Sequence, residues 1–428
     1  MSTVEEQIAV RSRKHRREAL TNLHQFIDEA YLMQSFYKLN NTSAAGVDGE
    51  DWPSYEENLP ERIPSLLSQF KSRTYKAPQI RRVYIPKRDG GNRPLGIPTV
   101  EDKLLQTAVS GILEPIYEQD LYSCSWGFRK GYRMHDAIRK LNEEVSYRGK
   151  RYIIDADIED FFGSIDHQHL RSFLDKRIKD GVVRTMIDKW LKAGIFESGQ
   201  TWYPEEGTPQ GGSISPLLSN IYLHYVLDEW FNEEIRPLLT GSSIEIRFAD
   251  DFILGFSNKR DAERVMKVLP KRFAKYGLRL HPEKTRIVEL GGDKRGNRDT
   301  FDFLGFTHYM GKSRKGRKVL MHKTISKRKS QAIQAIHAWI KANRHSKIRY
   351  VIAKVNQKLR GHYNHYGITF NWRALSEVYY HVRVMLKKWL NRRGGKHKMN
   401  WDDFSKIVDV WCPLARPRIM YSYSKAKP

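Results

Sequence analysis

Two short apolar stretches that run into acids constrain this chain more than anything else in it. Residues 244–256 are apolar on both sides of Asp250-Asp251, which predicts a buried hairpin with both acids at its turn. Tyr152 to Ile154 is a second apolar run, and it too ends in acids, within Asp155-Ala156-Asp157-Ile158-Glu159-Asp160. Carboxylates flanked this way would be buried, and unpaired buried charge is too costly without a cation. The surrounding order is strand, helices over 166–178 and 182–194, a helix over 214–234, the hairpin, a helix over 259–277 and an extended run over 278–288. That alternation predicts a split βαβ unit, an antiparallel sheet with helices on one face.

Ahead of this unit, Leu20, Leu23, Phe26, Ile27, Ala30 and Tyr31 have helical spacing within 16–39. Gly46-Val47-Asp48-Gly49 has turn chemistry, Arg81 to Lys87 reads as a strand, and Asp89-Gly90-Gly91 as the turn of a hairpin. A helix follows over 101–118, with Glu101 and Asp102 suited to its N-terminus. Behind the unit the pattern changes to three helices. Ile333, Ile336 and Ile340 mark the first, Ile348 to Tyr366 the second, and Trp372 to Trp389 the third. A domain boundary is expected in the basic, glycine-rich stretch 311–318.

Charge is distributed as unevenly as the pattern. Lys plus Arg number 75 and Asp plus Glu 49, for a net +26, yet residues 307–428 alone hold 29 basic and 4 acidic side chains. The first 306 residues are left with 46 and 45, close to neutral. An excess segregated in this way reads as a polyanion-binding surface rather than a solubility device. Cys124 and Cys412 are too few for a disulfide framework or a zinc cluster, so a reducing, cytoplasmic setting is expected. No apolar run is long enough to span a bilayer, and the N-terminus lacks an apolar signal core; no membrane partner is expected.

Nucleotidyl transfer needs this kind of carboxylate set. Two divalent cations activate a 3′-hydroxyl and neutralise a triphosphate, and Mg²⁺ prefers a few oxygen ligands and keeps some waters. Adjacent aspartates at a tight turn, with a third from a neighbouring strand, supply such a clamp.

The residues now carry a resemblance. Phe248-Ala249-Asp250-Asp251 looks like the signature turn of reverse transcriptases, with Phe where Tyr is usual. Gly207-Thr208-Pro209-Gln210-Gly211-Gly212-Ser213-Ile214-Ser215-Pro216-Leu217-Leu218 is similar to a motif of group II intron-encoded reverse transcriptases and maturases. The stretch from Ile85 to Pro98, Ser125-Trp126-Gly127-Phe128-Arg129 and Phe303-Leu304-Gly305-Phe306 match that family too, as does Val355 to Tyr363 in its maturase region. All the motifs stand in order, from about residue 18 to about residue 400.

The resemblance implies an α+β, right-hand polymerase: a ferredoxin-like antiparallel-sheet palm, fingers, and an all-helical thumb and maturase domain. The expected division is an N-terminal extension of the fingers over 1–60, fingers over 61–150, palm over 151–310 and basic thumb over 311–428. It implies Asp157, Asp250 and Asp251 as ligands of two Mg²⁺ ions, with Mn²⁺ as a substitute. Lys87 and Arg93 fall at triphosphate-contacting positions, Phe162 at the sugar gate, and Gln210 over the incoming nucleotide and template. Lys284 matches the lysine proposed as general acid to the pyrophosphate. The implied partners are an RNA template, a DNA or RNA primer, deoxynucleoside triphosphates and structured intron RNA, in a bacterial, nucleoid-associated setting.

Taken singly, these residues have plainer readings. Phe162 would be core and Lys284 a solvated lysine. Asp155, Glu159 and Asp160 read as sheet-end or surface acids. His362 and His365 have metal-like spacing without a third ligand, so they read as RNA-facing or packing residues. No endonuclease domain is expected after the thumb. Two alternatives stay open: a stand-alone relative in DNA repair or phage defence, and a non-catalytic RNA-binding splicing factor. The sequence leaves the oligomeric state open.

Overall fold

The computed structural model describes residues 3–16, 18–86, 91–197, 200–203, 206–207, 211–291, 299–313, 315–394 and 398–423. The chain forms two compact units, one of residues 1–133 and 154–287, the other of 134–153 and 288–428.

The first unit opens on α1 (Val4–Lys14). Thr3 accepts from the Glu6 amide while the Glu6 carboxylate takes the Thr3 amide, a reciprocal cap. The stretch 16–39, expected as one helix, is broken into a turn of 3₁₀ helix at Leu23–Phe26 and α2 (Glu29–Tyr37). The reason is local: Asn22 takes a left-handed φ of 56°, and Asp28 caps α2 by accepting from the Tyr31 amide. Short α3 (Trp52–Glu56) and α4 (Leu59–Lys71) follow. Strands β1 (Ile80–Pro86) and β2 (Asn92–Ile97) pair antiparallel from Arg81 opposite Ile97 to Pro86 opposite Asn92, as the hairpin reading required. Helix α5 (Val100–Tyr117), capped by Thr99, buries Leu104, Leu105, Val109, Ile112, Leu113 and Ile116 and packs against α1 and α2.

After α6 (Met134–Arg148), which belongs to the second unit, comes β3 (Tyr152–Ala156). Asp166 and Asp180 cap α7 (His167–Asp175) and α8 (Gly181–Leu191). Strand β4 (Ile195–Glu197) runs parallel to β1 and antiparallel to β5 (Gln200–Trp202). Helix α9 (Ser215–Leu223) continues through wider turns to Ile235. Strands β6 (Ser243–Phe248) and β7 (Asp251–Phe256), helix α10 (Lys259–Lys275) and β8 (Arg286–Glu289) complete a four-stranded sheet in the order β6-β7-β3-β8.

This sheet is not apolar throughout. Arg247 on β6 is fully buried and donates from Nε and Nη2 to both carboxylate oxygens of Asp228, at 2.7 and 2.6 Å. Nη1 reaches Asn220 Oδ1 at 2.9 Å and the Ala249 carbonyl at 3.2 Å, and Nη2 reaches Ser125 Oγ at 2.8 Å. Burial, reinforced by the Asp228 charge, pushes the neighbouring Glu245 carboxyl far above its ordinary range, so it stays neutral beside the ion pair.

In the second unit β9 (Phe301–Phe303), β10 (Phe306–Lys312) and β11 (Lys318–Thr324) form a three-stranded sheet. The boundary expected at 311–318 therefore falls at the tip of the β10–β11 hairpin, and the region beyond residue 311 is not helical from its start. Histidines hide the strand pattern: His308 and His322 face each other across the hairpin, fully buried, with ring centroids 5.4 Å apart. The expected helices then appear as α11 (Ser326–Ala342), α12 (Ile348–Tyr366) and α13 (Trp372–Leu390), followed by short α14 (Trp401–Ser405). Their core joins Ile336, Ile340, Val355, Leu359, Val378 and Val382. Helix α6 docks here: Asn142 donates to the Leu320 carbonyl, and Ser146 Oγ accepts from the Leu320 amide.

Two outcomes follow. Replacing Arg247 by Leu strands a buried Asp228 carboxylate and should cost roughly 3–5 kcal/mol in denaturant unfolding, part of it regained by adding Asp228→Ala. Burial also lowers the imidazoles of His308 and His362 to about 4, and that of His322 well below its ordinary value. Above about pH 6.5 neither folded nor unfolded chain protonates them; below it the unfolded chain takes up protons that the folded chain refuses. Stability measured from pH 7 down to pH 5 should fall by roughly 2 kcal/mol for each such histidine.

Candidate active site

The β6–β7 turn is as short as a hairpin permits. Pairing closes at Phe248 opposite Asp251, so Ala249 and Asp250 make the turn between them, Ala249 at a φ of 59°. A left-handed backbone at a residue with a Cβ costs roughly 1–2 kcal/mol, and the surroundings hold it there. Arg247 donates to the Ala249 carbonyl, and the 124–127 segment clamps β6: the Trp126 amide donates to the Arg247 carbonyl at 2.7 Å, and the Arg247 amide to Cys124 at 2.8 Å. Gly127 is required by contact, because a Cβ there would stand 2.3 Å from the Ala249 nitrogen.

Asp250 is partly buried in this turn, and Asp251 opens β7 beside it. Burial raises the Asp250 carboxyl above its ordinary range; the Asp157 charge adds to the rise, while Arg93 and Arg247 oppose it. Asp157, Asp250 and Arg93 are therefore within electrostatic reach of one another. Asp157 lies just past β3, half-exposed, and its carboxylate accepts from Lys284 Nζ at 2.7 Å. Its carbonyl accepts from the His281 amide at 2.8 Å, which ties the 281–285 turn to the end of β3. Lys87 and Gln210 lie outside the described residues.

Phe162 sits in a single turn, Phe161–Gly163, introduced by Asp160 at a φ of 37°. Phe162 is buried and meets Phe161 edge-on at 5.4 Å. Gly207 closes on this turn: its amide donates to the Ile165 carbonyl at 2.9 Å, and a Cβ on it would stand 2.9 Å from the Phe162 carbonyl. Gly211, at a φ of 119°, lies so near β2 that a Cβ would come within 2.2 Å of the Gly96 carbonyl. Gly207 thus lies against the Phe162 turn, and Gly211 against the hairpin that carries Arg93.

The donor chemistry fits a hard divalent cation: carboxylates from a turn and a strand end, one of them penalised by burial and by its neighbour's charge. A tighter set, Cys124, Asp228 and Glu245, has ligand atoms all within 4.8 Å among the described residues, and the three site aspartates are not gathered so closely. That set does not suit a hard divalent cation, because both carboxylate oxygens of Asp228 are already held by Arg247 and the Cys124 thiol is a soft donor. Sequence reading missed Arg247, Asp228, Asn220 and Ser125 as parts of the site. The available signal was a lone arginine in an apolar strand ahead of the turn. His362 is buried against Tyr366, at 4.7 Å between centroids, and so packs, whereas His365 is exposed.

Comparison with known proteins bears on the same residues. Residues 85–308 match the family described as reverse transcriptase (RNA-dependent DNA polymerase), and residues 329–406 match the group II intron, maturase-specific domain. The chain is similar to group II intron-encoded protein LtrA of Lactococcus lactis subsp. cremoris, 34% identical over 67% of this chain and 47% of that protein. It is also 34% identical to protein YkfC of Escherichia coli, over 63% of this chain and 77% of that one. A protein in the cob intron of Schizosaccharomyces pombe is 24% identical over 82% of this chain and 50% of its own length. The chain thus spans about half the length of the Lactococcus and fission-yeast relatives. With the polymerase match covering more than half of its residues and the maturase match following in order, the chain belongs to the reverse transcriptase family, in the group that carries a group II intron maturase domain.

Proposed function

We propose that the chain copies RNA into DNA and also binds structured intron RNA to assist its splicing and mobility. The observation that carries the polymerase reading is the pairing of Asp157 with the half-buried Asp250 across one sheet, the charge of the first raising the carboxyl of the second. On this reading the sheet order β6-β7-β3-β8 is a ferredoxin-like palm within residues 151–310. Residues 1–133 form the fingers with their extension over 1–60, and α6 with the residues from 288 on forms the basic thumb and maturase domain.

Asp157, Asp250 and Asp251 would hold two Mg²⁺, or Mn²⁺, which when bound supply an activated 3′-hydroxyl and a neutralised triphosphate. Arg93 offers a planar fork to phosphate oxygens, and Lys87, six residues earlier in the sequence, would add a second cation for them. Phe162 presents its ring below the sugar and so excludes a 2′-hydroxyl, while the family resemblance gives Gln210 the contact with the incoming nucleotide and template. Lys284, paired with Asp157 and still 61% exposed, keeps an ammonium proton near the reacting phosphates for the leaving pyrophosphate. The net positive charge after residue 306 serves the template–primer and the intron RNA, and the match over 329–406 favours the intron as partner.

Asp250→Ala tests the reading directly. Primer extension on an RNA template with deoxynucleotides and Mg²⁺ should fall on the order of a thousandfold or more. Metal-free, the variant should melt no lower than the parent, because a carboxyl whose folded pKa is raised opposes folding once ionised. Undiminished extension would remove Asp250 from the chemistry and the polymerase reading with it. Phe162→Ala should raise ribonucleotide incorporation in the same assay while DNA synthesis persists; no gain would leave Phe162 as ordinary core.

A further inference from the structure

One glycine in the second unit has no explanation among the described residues. Gly361 lies within the 19-residue helix α12, where glycine costs more helix stability than any residue but proline. It is exposed, and a Cβ built on it would meet no atom of the described residues within 4 Å. The contrast is Gly111 of α5, where a Cβ would strike the Tyr31 hydroxyl at 2.4 Å. Gly111 is forced by packing; Gly361 is not.

Helical spacing says what surrounds it. With Val351, Ile352, Val355 and Leu359 buried, the outward stripe through Gly361 carries Tyr350, Lys354, Gln357, Lys358, Asn364 and His365. The helix has no acidic residue over its whole length. We infer that this stripe of α12 is a docking surface for double-stranded RNA, with a sugar–phosphate backbone drawn against the helix at Gly361. The inference rests on the RNA-binding reading above and names the surface and the form of RNA.

Charge selects a polyanion, since residues 307–428 hold 29 basic and 4 acidic side chains. The side chains then select a duplex. Gln357 and Asn364 each offer a donor and an acceptor, which suits 2′-hydroxyls and base edges in the shallow minor groove of A-form RNA. A single-strand binder instead stacks successive bases on neighbouring rings, and this stripe exposes two, Tyr350 and His365, about four helical turns apart. A missing Cβ brings the helix axis closer to a flat, rigid partner, whereas a flexible strand would not need the space.

The test uses the full chain with Gly361→Ala, Gly361→Gln and Lys354→Gln. Affinity is measured for a fully paired RNA hairpin and for oligo-uridine across a salt series, together with melting temperature. Both glycine variants should melt roughly 2–4 °C higher than the parent, because a helix interior favours their side chains. Gly361→Gln should nevertheless bind the hairpin at least tenfold more weakly, Gly361→Ala less so, and oligo-uridine binding should change less than twofold. Lys354→Gln should lower the salt slope on the hairpin by about one. A Gln variant that keeps the parent's hairpin affinity overturns the inference, and so does an equal loss on both RNAs. A parent chain that fails to bind the hairpin in a salt-dependent way overturns the RNA-binding reading itself.

Discussion

A guanidinium sealed from water must be answered atom by atom, and the way Arg247 is answered organises the first unit. Its partners come from four places in the sequence: Ser125, Asn220 on α9, Asp228 on the helix that follows, and the Ala249 carbonyl in the turn itself. Each is held because the others are, since any one left alone would be a buried polar group without a partner. The left-handed Ala249 is one consequence, and the placement of Asp250 is the next. Glu245 keeps the account neutral, because a second ionised acid at that depth would face Asp228 with a single cation between them. The carboxylates that face solvent thus inherit their positions from an ion pair that never meets it.

The two units use charge in opposite ways. In the first, acids and bases nearly cancel, and the decisive ones are buried, paired and directional. In the second, cations lie over exposed helices while the interior is lined with imidazoles held neutral by burial. Chemistry that depends on placing charge to within an ångström is what the proposed function asks of the first arrangement. Adhesion to a long polyanion, which tolerates disorder in each contact, is what the proposed function asks of the second.

Much of this was legible in the sequence for definite reasons. The hairpin around Asp250 stood out because its flanks are apolar and its turn acidic, and α12 and α13 because their buried faces repeat every turn. What stayed hidden was polar burial. Arg247 and Glu245 are charges inside a run read only for its apolar residues, and long-range partners such as Asp228 make them interior. His308 and His322 concealed a strand pair for the same reason, since hydropathy counts an imidazole as polar whatever its surroundings. The break before α2 was missed because periodicity ignores caps: Leu23, Ile27 and Tyr31 are all buried, yet Asp28 ends one element and begins another. Helix α1 was invisible because it buries only Ile8 and Ser12.

The interleaving of the two units has a consequence for how the chain is made. Helix α6 is synthesised between two parts of the first unit, but the strand it packs on, through Asn142 and Leu320, comes 178 residues later. At a translation rate of about 5–20 residues per second, its apolar face waits roughly 10–35 s for that partner. During that interval Ile138 and Leu141, fully buried in the finished protein, are open to anything nearby. On the ribosome, then, the growing chain carries a sticky helix through the whole synthesis of the β6-β7-β3-β8 sheet.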